Sequence, residues 1–109
     1  MAQPVLVPCV ASARERGSLR LVFRSPRGQG AGKRRAVLLL HLRGSAPEHV
    51  RVNGREAGLV SRALGWAALA LPQGVRWERL TLEPGGPFDG CNDAATAPYV
   101  VLEPDAAQK

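Results

Sequence analysis

Apolar and polar residues alternate along much of the chain, and this alternation predicts short β-strands. In the stretch SLRLVFRS (18–25), Leu19, Leu21 and Phe23 fall on one face, with arginines and a valine on the other. A period of two residues is typical of a strand with one buried face. The stretch RAVLLLHL (35–42) is apolar on both faces, which indicates a central strand. Further strands are predicted in the N-terminal run and in the stretches 49–57, 65–72, 75–83 and 98–104.

Two turn signals separate these strands. Asn53-Gly54 is the stronger one, because both central positions of a type I′ hairpin turn require a positive φ. The tripeptide Pro72-Gln73-Gly74 predicts a second close connection.

One stretch, REAGLVSRALGWAALAL (55–71), competes for a helical interpretation because alanine and leucine are abundant in it. Gly58 and Gly65 interrupt it, and no N-cap residue precedes it. We therefore favour strands here.

The spacing of strands and turns predicts an all-β fold. We expect a single antiparallel β-sandwich of about seven or eight short strands, immunoglobulin-like or jelly-roll-like. The 109 residues are interpreted as one domain, 1–109, in which 84–109 forms a partly irregular, acidic C-terminal segment. Because the chain has only two Trp, two Phe and one Tyr, the core should be mainly aliphatic.

The chain is strongly basic, with a net charge of +6 and a pI near 10.7. Eight basic residues lie within 14–35 against one acid, Glu15. This charge favours adhesion to polyanions such as RNA, DNA or acidic glycans, with a steep dependence on salt. The residues that would carry such binding are Arg20, Arg24, Arg27, Lys33, Arg34 and Arg35.

The glycine-rich basic stretch SPRGQGAGKRR (25–35) lies between the two clearest strands. A Walker phosphate loop requires Gly-Lys followed by Ser or Thr at the start of a helix, whereas Lys33 precedes Arg34 and a predicted strand. We therefore predict a solvated hairpin loop, and we predict no cofactor.

The two cysteines, Cys9 and Cys91, are 82 positions apart and form no CxxC pair. In an oxidising compartment they would form one disulfide, which stabilises by about 4 kcal/mol on the chain-entropy argument. In the cytosol they would stay reduced. The sequence leaves both alternatives open.

No motif marks a catalytic or metal centre. His41 and His49 lack the spacings HxH and HExxH, and no serine lies in a GxSxG motif. Asp89 and Asp93 lack the regular acidic spacing of an EF-hand loop, so we favour turn roles for them. We predict neither an enzyme nor a metal site.

The two tryptophans, Trp66 and Trp77, lie near the ends of consecutive predicted strands. An exposed pair would stack on sugar rings or bases, so a carbohydrate-binding module is one hypothesis. Packing in the core or at its rim is the favoured alternative, because the core is short of aromatic residues.

Apolar runs such as AVLLL (36–40) are far shorter than the roughly 20 residues of a spanning helix. We predict no membrane span. The N-terminal run lacks a positive leading region and contains two prolines, so we interpret it as an edge strand and not as a signal peptide.

Three stretches carry a resemblance to a known family: LRLVFRSPRG (19–28), VRVNGREA (50–57) and GWAALALPQGVRWERLTLEPGGPF (65–88). They resemble the small C-terminal β-sandwich accessory domains of exported hydrolases. They are most similar to those of membrane-bound zinc aminopeptidases of the endoplasmic-reticulum metallopeptidase type, which carry a strand ending in Ser-Pro-Arg-Gly and a later Val-Asn-Gly hairpin. The resemblance covers roughly 18–88 and implies a periplasmic or secretory-side location; without it, an intracellular one is expected. None of the family's zinc ligands or catalytic acids has a matching position here.

The sequence thus supports three functional hypotheses. The favoured one is a non-catalytic interaction or accessory module that packs against a protein partner or neighbouring domain. Its candidate contact surface is the outer face that includes Val22, Val37 and Leu39, so it predicts an exposed apolar patch. The alternatives are a polyanion-binding small subunit and a carbohydrate-binding module.

Overall fold

The computed structural model describes residues 4–24 and 35–103. Every strand pair is antiparallel, and the described residues contain no helix. The predicted all-β, antiparallel class is therefore confirmed. The strands are β1 (Val5–Glu15), β2 (Ser18–Phe23), β3 (Ala36–His41), β4 (Val50–Val52), β5 (Arg55–Ala63), β6 (Trp66–Ala70), β7 (Arg79–Glu83) and β8 (Tyr99–Leu102).

The eight strands form a closed barrel in the order β1-β2-β7-β4-β5-β6-β3-β8, and β8 pairs back onto β1. The sequence predicted a sandwich of two sheets, which would leave unpaired edge strands. This expectation requires correction, because every strand here has a neighbour on both sides.

Two long strands close the barrel. The first half of β1 pairs with β8 and its second half with β2, and a bulge between Cys9 and Ala11 separates the two halves. On the opposite side β5 pairs first with β4 and then with β6, with a bulge between Leu59 and Ser61. A bulge bends a strand and increases its twist, so each long strand can turn the corner between the two halves of the barrel.

Three hairpins have the same tight turn. Arg16-Gly17, Asn53-Gly54 and Leu64-Gly65 all have a positive φ at both positions, which is the geometry of a type I′ turn. The hairpin predicted at Asn53-Gly54 is confirmed. The prediction of strands instead of a helix in 55–71 is also confirmed, because this stretch forms the β5–β6 hairpin. The connection at Pro72–Gly74 also turns, since the Val75 amide donates to the Pro72 carbonyl at 3.2 Å, but β6 and β7 do not pair.

Alternate residues of each strand fill the barrel. The interior is mainly leucine and valine, with Phe23, Trp77 and Phe88 as its large aromatic residues. Each fully buried leucine contributes about 1.5–3 kcal/mol relative to an exposed one, so the aliphatic interior is the main source of stability.

The segment 84–98, which connects β7 to β8, is fastened across one end of the barrel. Phe88 enters the core and forms a bridge with Leu42. The Asp89 amide donates to the His41 carbonyl at 3.0 Å, and the Gly85 amide donates to the Gly17 carbonyl at 2.7 Å. At Gly85 the segment runs so close to β2 that a methyl group there would lie 2.4 Å from the Leu19 nitrogen.

We expect Gly85→Ala to lower the free energy of unfolding by about 3 kcal/mol, because the added carbon overlaps backbone that cannot move away. Gly86→Ala is the matched control, since no atom lies within 4 Å of its added carbon. Urea unfolding of both variants measures the difference. Equal midpoints for the two variants would contradict the close approach.

Candidate functional site

The outer surface of one half of the barrel is apolar. Strands β1, β8, β3 and β6 are neighbours there, and their outward residues align in two rows across the sheet. One row runs Leu6, Val101, Val37 and Ala70, and the next runs Pro8, Tyr99, Leu39 and Ala68. We call these eight residues the apolar face.

The apolar face is partly open to solvent. Leu6 is 64% exposed, whereas Val37, Leu39 and Val101 cover one another in part and are half-buried. Ala68 is only 8% exposed, yet it does not belong to the core cluster. A continuous apolar surface is typical of an interaction site.

The outer surface of the other half is polar. Arg20 lies opposite Thr81, and Arg51 lies between Glu83 and Glu56 on the neighbouring strands. Val22 belongs to this polar half, where it pairs with Arg79. Of the three predicted contact positions, the structure therefore brings Val37 and Leu39 together and separates Val22 from them.

Aromatic residues mark one end of the apolar face. Trp66 lies beside Tyr99, with ring centroids 5.9 Å apart, and beside His41, with centroids 5.2 Å apart in an edge-on arrangement. Trp77 is in the interior and 2% exposed, so it offers no ring face to a ligand. The two tryptophans proposed to stack on a sugar are thus on different sides of the barrel wall. Stacking by Trp66 stays a prediction.

His41, Arg43 and Asp89 form a polar cluster next to these rings. The Asp89 carboxylate accepts from His41 Nδ1 at 2.6 Å and from Arg43 Nε. Because an ionised carboxylate only accepts, His41 carries its proton on Nδ1. No hydrogen bond joins the other ring nitrogen of His41 to a hydroxyl or thiol in 4–24 and 35–103.

The cluster fastens the segment 84–98 to the end of β3. Burial of Asp89 opposes its ionisation, but hydrogen bonds from Arg43 and His41 outweigh that effect and hold the pKa of the carboxyl below its usual range. Asp93 acts in a turn, where it accepts from the Ala95 amide at 3.0 Å. Within the described ranges no three potential metal ligands come together.

Of the predicted polyanion-binding residues, the structure describes Arg20, Arg24 and Arg35. Arg20 pairs with Glu15 at 3.7 Å, and Arg35 pairs with Glu103 at 3.8 Å. Arg24 is exposed. The remaining three, Arg27, Lys33 and Arg34, lie outside the described residues. Polyanion binding therefore stays a prediction.

The fold brings the two cysteine side chains together. Cys9 and Cys91 are both unbridged, and each thiol lies within hydrogen-bonding reach of the other. Burial, followed by the hydrogen bond and the charge of Cys91, raises the pKa of the Cys9 thiol to about 12. The disulfide stays a prediction.

Sequence reasoning did not find the polar contacts that hold the segment 84–98. The Arg14 guanidinium donates to the carbonyls of Gly85, at 3.0 Å, and Phe88. The Ser12 hydroxyl accepts from the Cys91 amide at 3.0 Å. These partners are separated by more than seventy residues along the chain. No local sequence motif predicts these contacts, because they depend on which strands become neighbours in the fold.

Comparison with known proteins adds no relative: no protein family, no curated protein and no solved structure matches the chain. The resemblance to aminopeptidase accessory domains accordingly stays a prediction. Among the described residues, no helix has the length and apolar character needed to cross a membrane.

We expect Asp89→Asn to lower the free energy of unfolding by about 1–2 kcal/mol near neutral pH, since it breaks two charge-assisted bonds. A carboxyl with a depressed native pKa contributes its stability above the unfolded-state pKa of about 4 and loses it as the pH falls through the native value. The gap between wild type and Asp89→Asn should therefore shrink in acid. Denaturant unfolding at several pH values measures it.

Glu48→Gln, at an exposed carboxyl, is the control for that experiment and should leave stability unchanged within about 0.5 kcal/mol. A gap between wild type and Asp89→Asn that stays constant down to about pH 2 would show that the carboxylate charge does not fasten the segment.

The raised pKa of Cys9 predicts that its thiol reacts slowly with alkylating agents. The Cys91→Ser variant keeps burial, the largest cause of the raised pKa of Cys9, and removes the competing thiol. In this variant, alkylation of Cys9 by iodoacetamide near pH 8 should be at least about tenfold slower in the folded protein than in guanidinium, because burial makes the thiolate scarce and limits access to the side chain. Mass spectrometry follows the reaction. Equal rates in the two states would show that Cys9 is exposed and unperturbed.

Proposed function

We propose that the protein is a non-catalytic interaction module that packs against a partner protein or neighbouring domain through the apolar face. The observation that supports this function most directly is the pair of aligned apolar rows on the outside of β1, β8, β3 and β6. A single exposed leucine is common on soluble proteins, but a continuous apolar sheet surface carries a cost in solubility. Contact with another protein would remove that cost.

The barrel also limits how a partner can bind. A partner that adds a strand needs a free sheet edge, and closure leaves none among the described strands. Recognition must therefore use outward side chains. The wall of the barrel supplies a rigid frame for such a surface, because the pairing on both sides fixes every strand.

We also infer that the barrel is a closed jelly roll, the second of the two sandwich types that the sequence suggested. The pairing supports this, since β1 pairs with β8, β2 with β7, β3 with β6 and β4 with β5, each pair nested within the one before. Jelly rolls serve many binding functions, so the fold permits the proposed role without specifying it.

Photo-crosslinking tests the proposed function. A benzophenone amino acid is placed at position 39, on the apolar face, and at position 81, on the polar half, and the protein is irradiated in the cells that naturally make it. We expect a specific crosslinked protein from position 39 only. Changing the neighbouring Val37 to Lys should abolish the product, because a charge in the contact must be desolvated.

Folding of each labelled protein is checked by circular dichroism, so that loss of a product reports on contact. Comparable crosslinking from positions 39 and 81, or no product above background from position 39, would overturn the proposal.

A further inference from the structure

An open groove adjoins the apolar face at the tip of the β5–β6 hairpin. It has a volume of about 480 Å³ and runs between this hairpin and the loop that follows β3. None of the described residues that line it is acidic. Its main side chains are Leu42, Arg43, Ala46, Arg62, Leu64 and Trp66.

Leu64, at the rim of the groove, is in an unfavourable conformation. It occupies the first central position of its turn with φ 56° and is 98% exposed. A left-handed conformation is unfavourable for leucine, and Asn is a usual choice at this position, as Asn53 shows in the β4–β5 turn. Because the leucine side chain is almost fully exposed, packing within the described fold does not explain why leucine occupies the tip. Backbone strain of this kind is common at functional sites.

The groove is electrostatically positive. Arg62 has no ion pair among the described residues, and Arg43 is engaged by Asp89 through Nε while its side chain remains 63% exposed. Arginine binds carboxylates through parallel hydrogen bonds, and such bonds are roughly twice as strong as those between neutral groups. The net charge of +6 would also speed the approach of an acidic ligand.

Trp66 joins the groove to the apolar face. It lines the groove and also contacts Tyr99, which belongs to the apolar face. A segment seated in the groove would therefore lie beside any protein packed on that face. The pairing of β6 with β3 and β5 holds Trp66 in place.

We propose that this groove binds a linear segment of the partner protein that carries an apolar side chain next to a carboxylate. The apolar side chain packs between Leu64 and Trp66, and the carboxylate pairs with Arg62. This inference rests on the proposed function, since it assigns a second contact to the same partner. It explains why a strained, exposed leucine stands beside two arginines.

A random dodecapeptide library displayed on phage, selected on the immobilised protein, tests the inference. We expect enriched peptides to place Glu or Asp next to Leu, Ile, Phe or Met. The binding of one synthesised peptide is then measured by fluorescence polarisation. Leu64→Asn and Arg62→Glu should each weaken it by about tenfold or more. Leu39→Lys, on the apolar face, should leave it within about twofold.

Stability separates loss of binding from loss of folding. Because Asn tolerates the left-handed conformation better than Leu, Leu64→Asn should raise the melting temperature slightly while it weakens the peptide. Absence of enriched peptides, or binding that survives both Leu64→Asn and Arg62→Glu, would overturn the inference. Binding lost only in Leu39→Lys would also overturn it but would support the proposed function, since the peptide would then occupy the apolar face.

Discussion

Closure of the barrel by β1 and β5 is the constraint on which the rest of the structure depends. Each of these strands is long enough to pair with both halves of the barrel, and each has a bulge where it passes from one half to the other. Without these two bends the strands would form two sheets with free edges. Closure removes the edges and encloses an interior that leucine and valine fill.

Closure also creates the contrast between the two outer surfaces. Since every strand alternates between interior and exterior, the outward residues alone distinguish one half of the barrel from the other. On β2, β7 and β4 they are mostly charged or polar, and on β8, β3 and β6 they are apolar or aromatic. In both halves of the barrel, leucines point into the interior and fill the core. The apolar outer positions are therefore not needed for that purpose. This is why we propose the apolar face as a surface for a partner.

The segment 84–98 depends on the same closure. It has no strand of its own, and it is held across the barrel end by polar contacts from β1, from the β1–β2 turn and from β3. Gly85 and Gly90 permit its close approach, since a side chain at either would overlap β2 or Ser12. The contacts of Asp89 and the proximity of Cys9 and Cys91 follow from this docking.

The sequence by itself determined the local features: the strands, the type I′ turn at Asn53-Gly54, the aliphatic interior and the apolar outer positions Val37 and Leu39. These depend on a period of two residues and on the φ preferences of single residues, which act over a few positions. Only the tertiary structure decided the closed barrel, the location of Trp77 in the interior and of Trp66 outside it, and the cluster of His41, Arg43 and Asp89. Alternation shows that a strand has two faces, but which strands become neighbours depends on packing among residues far apart in the chain.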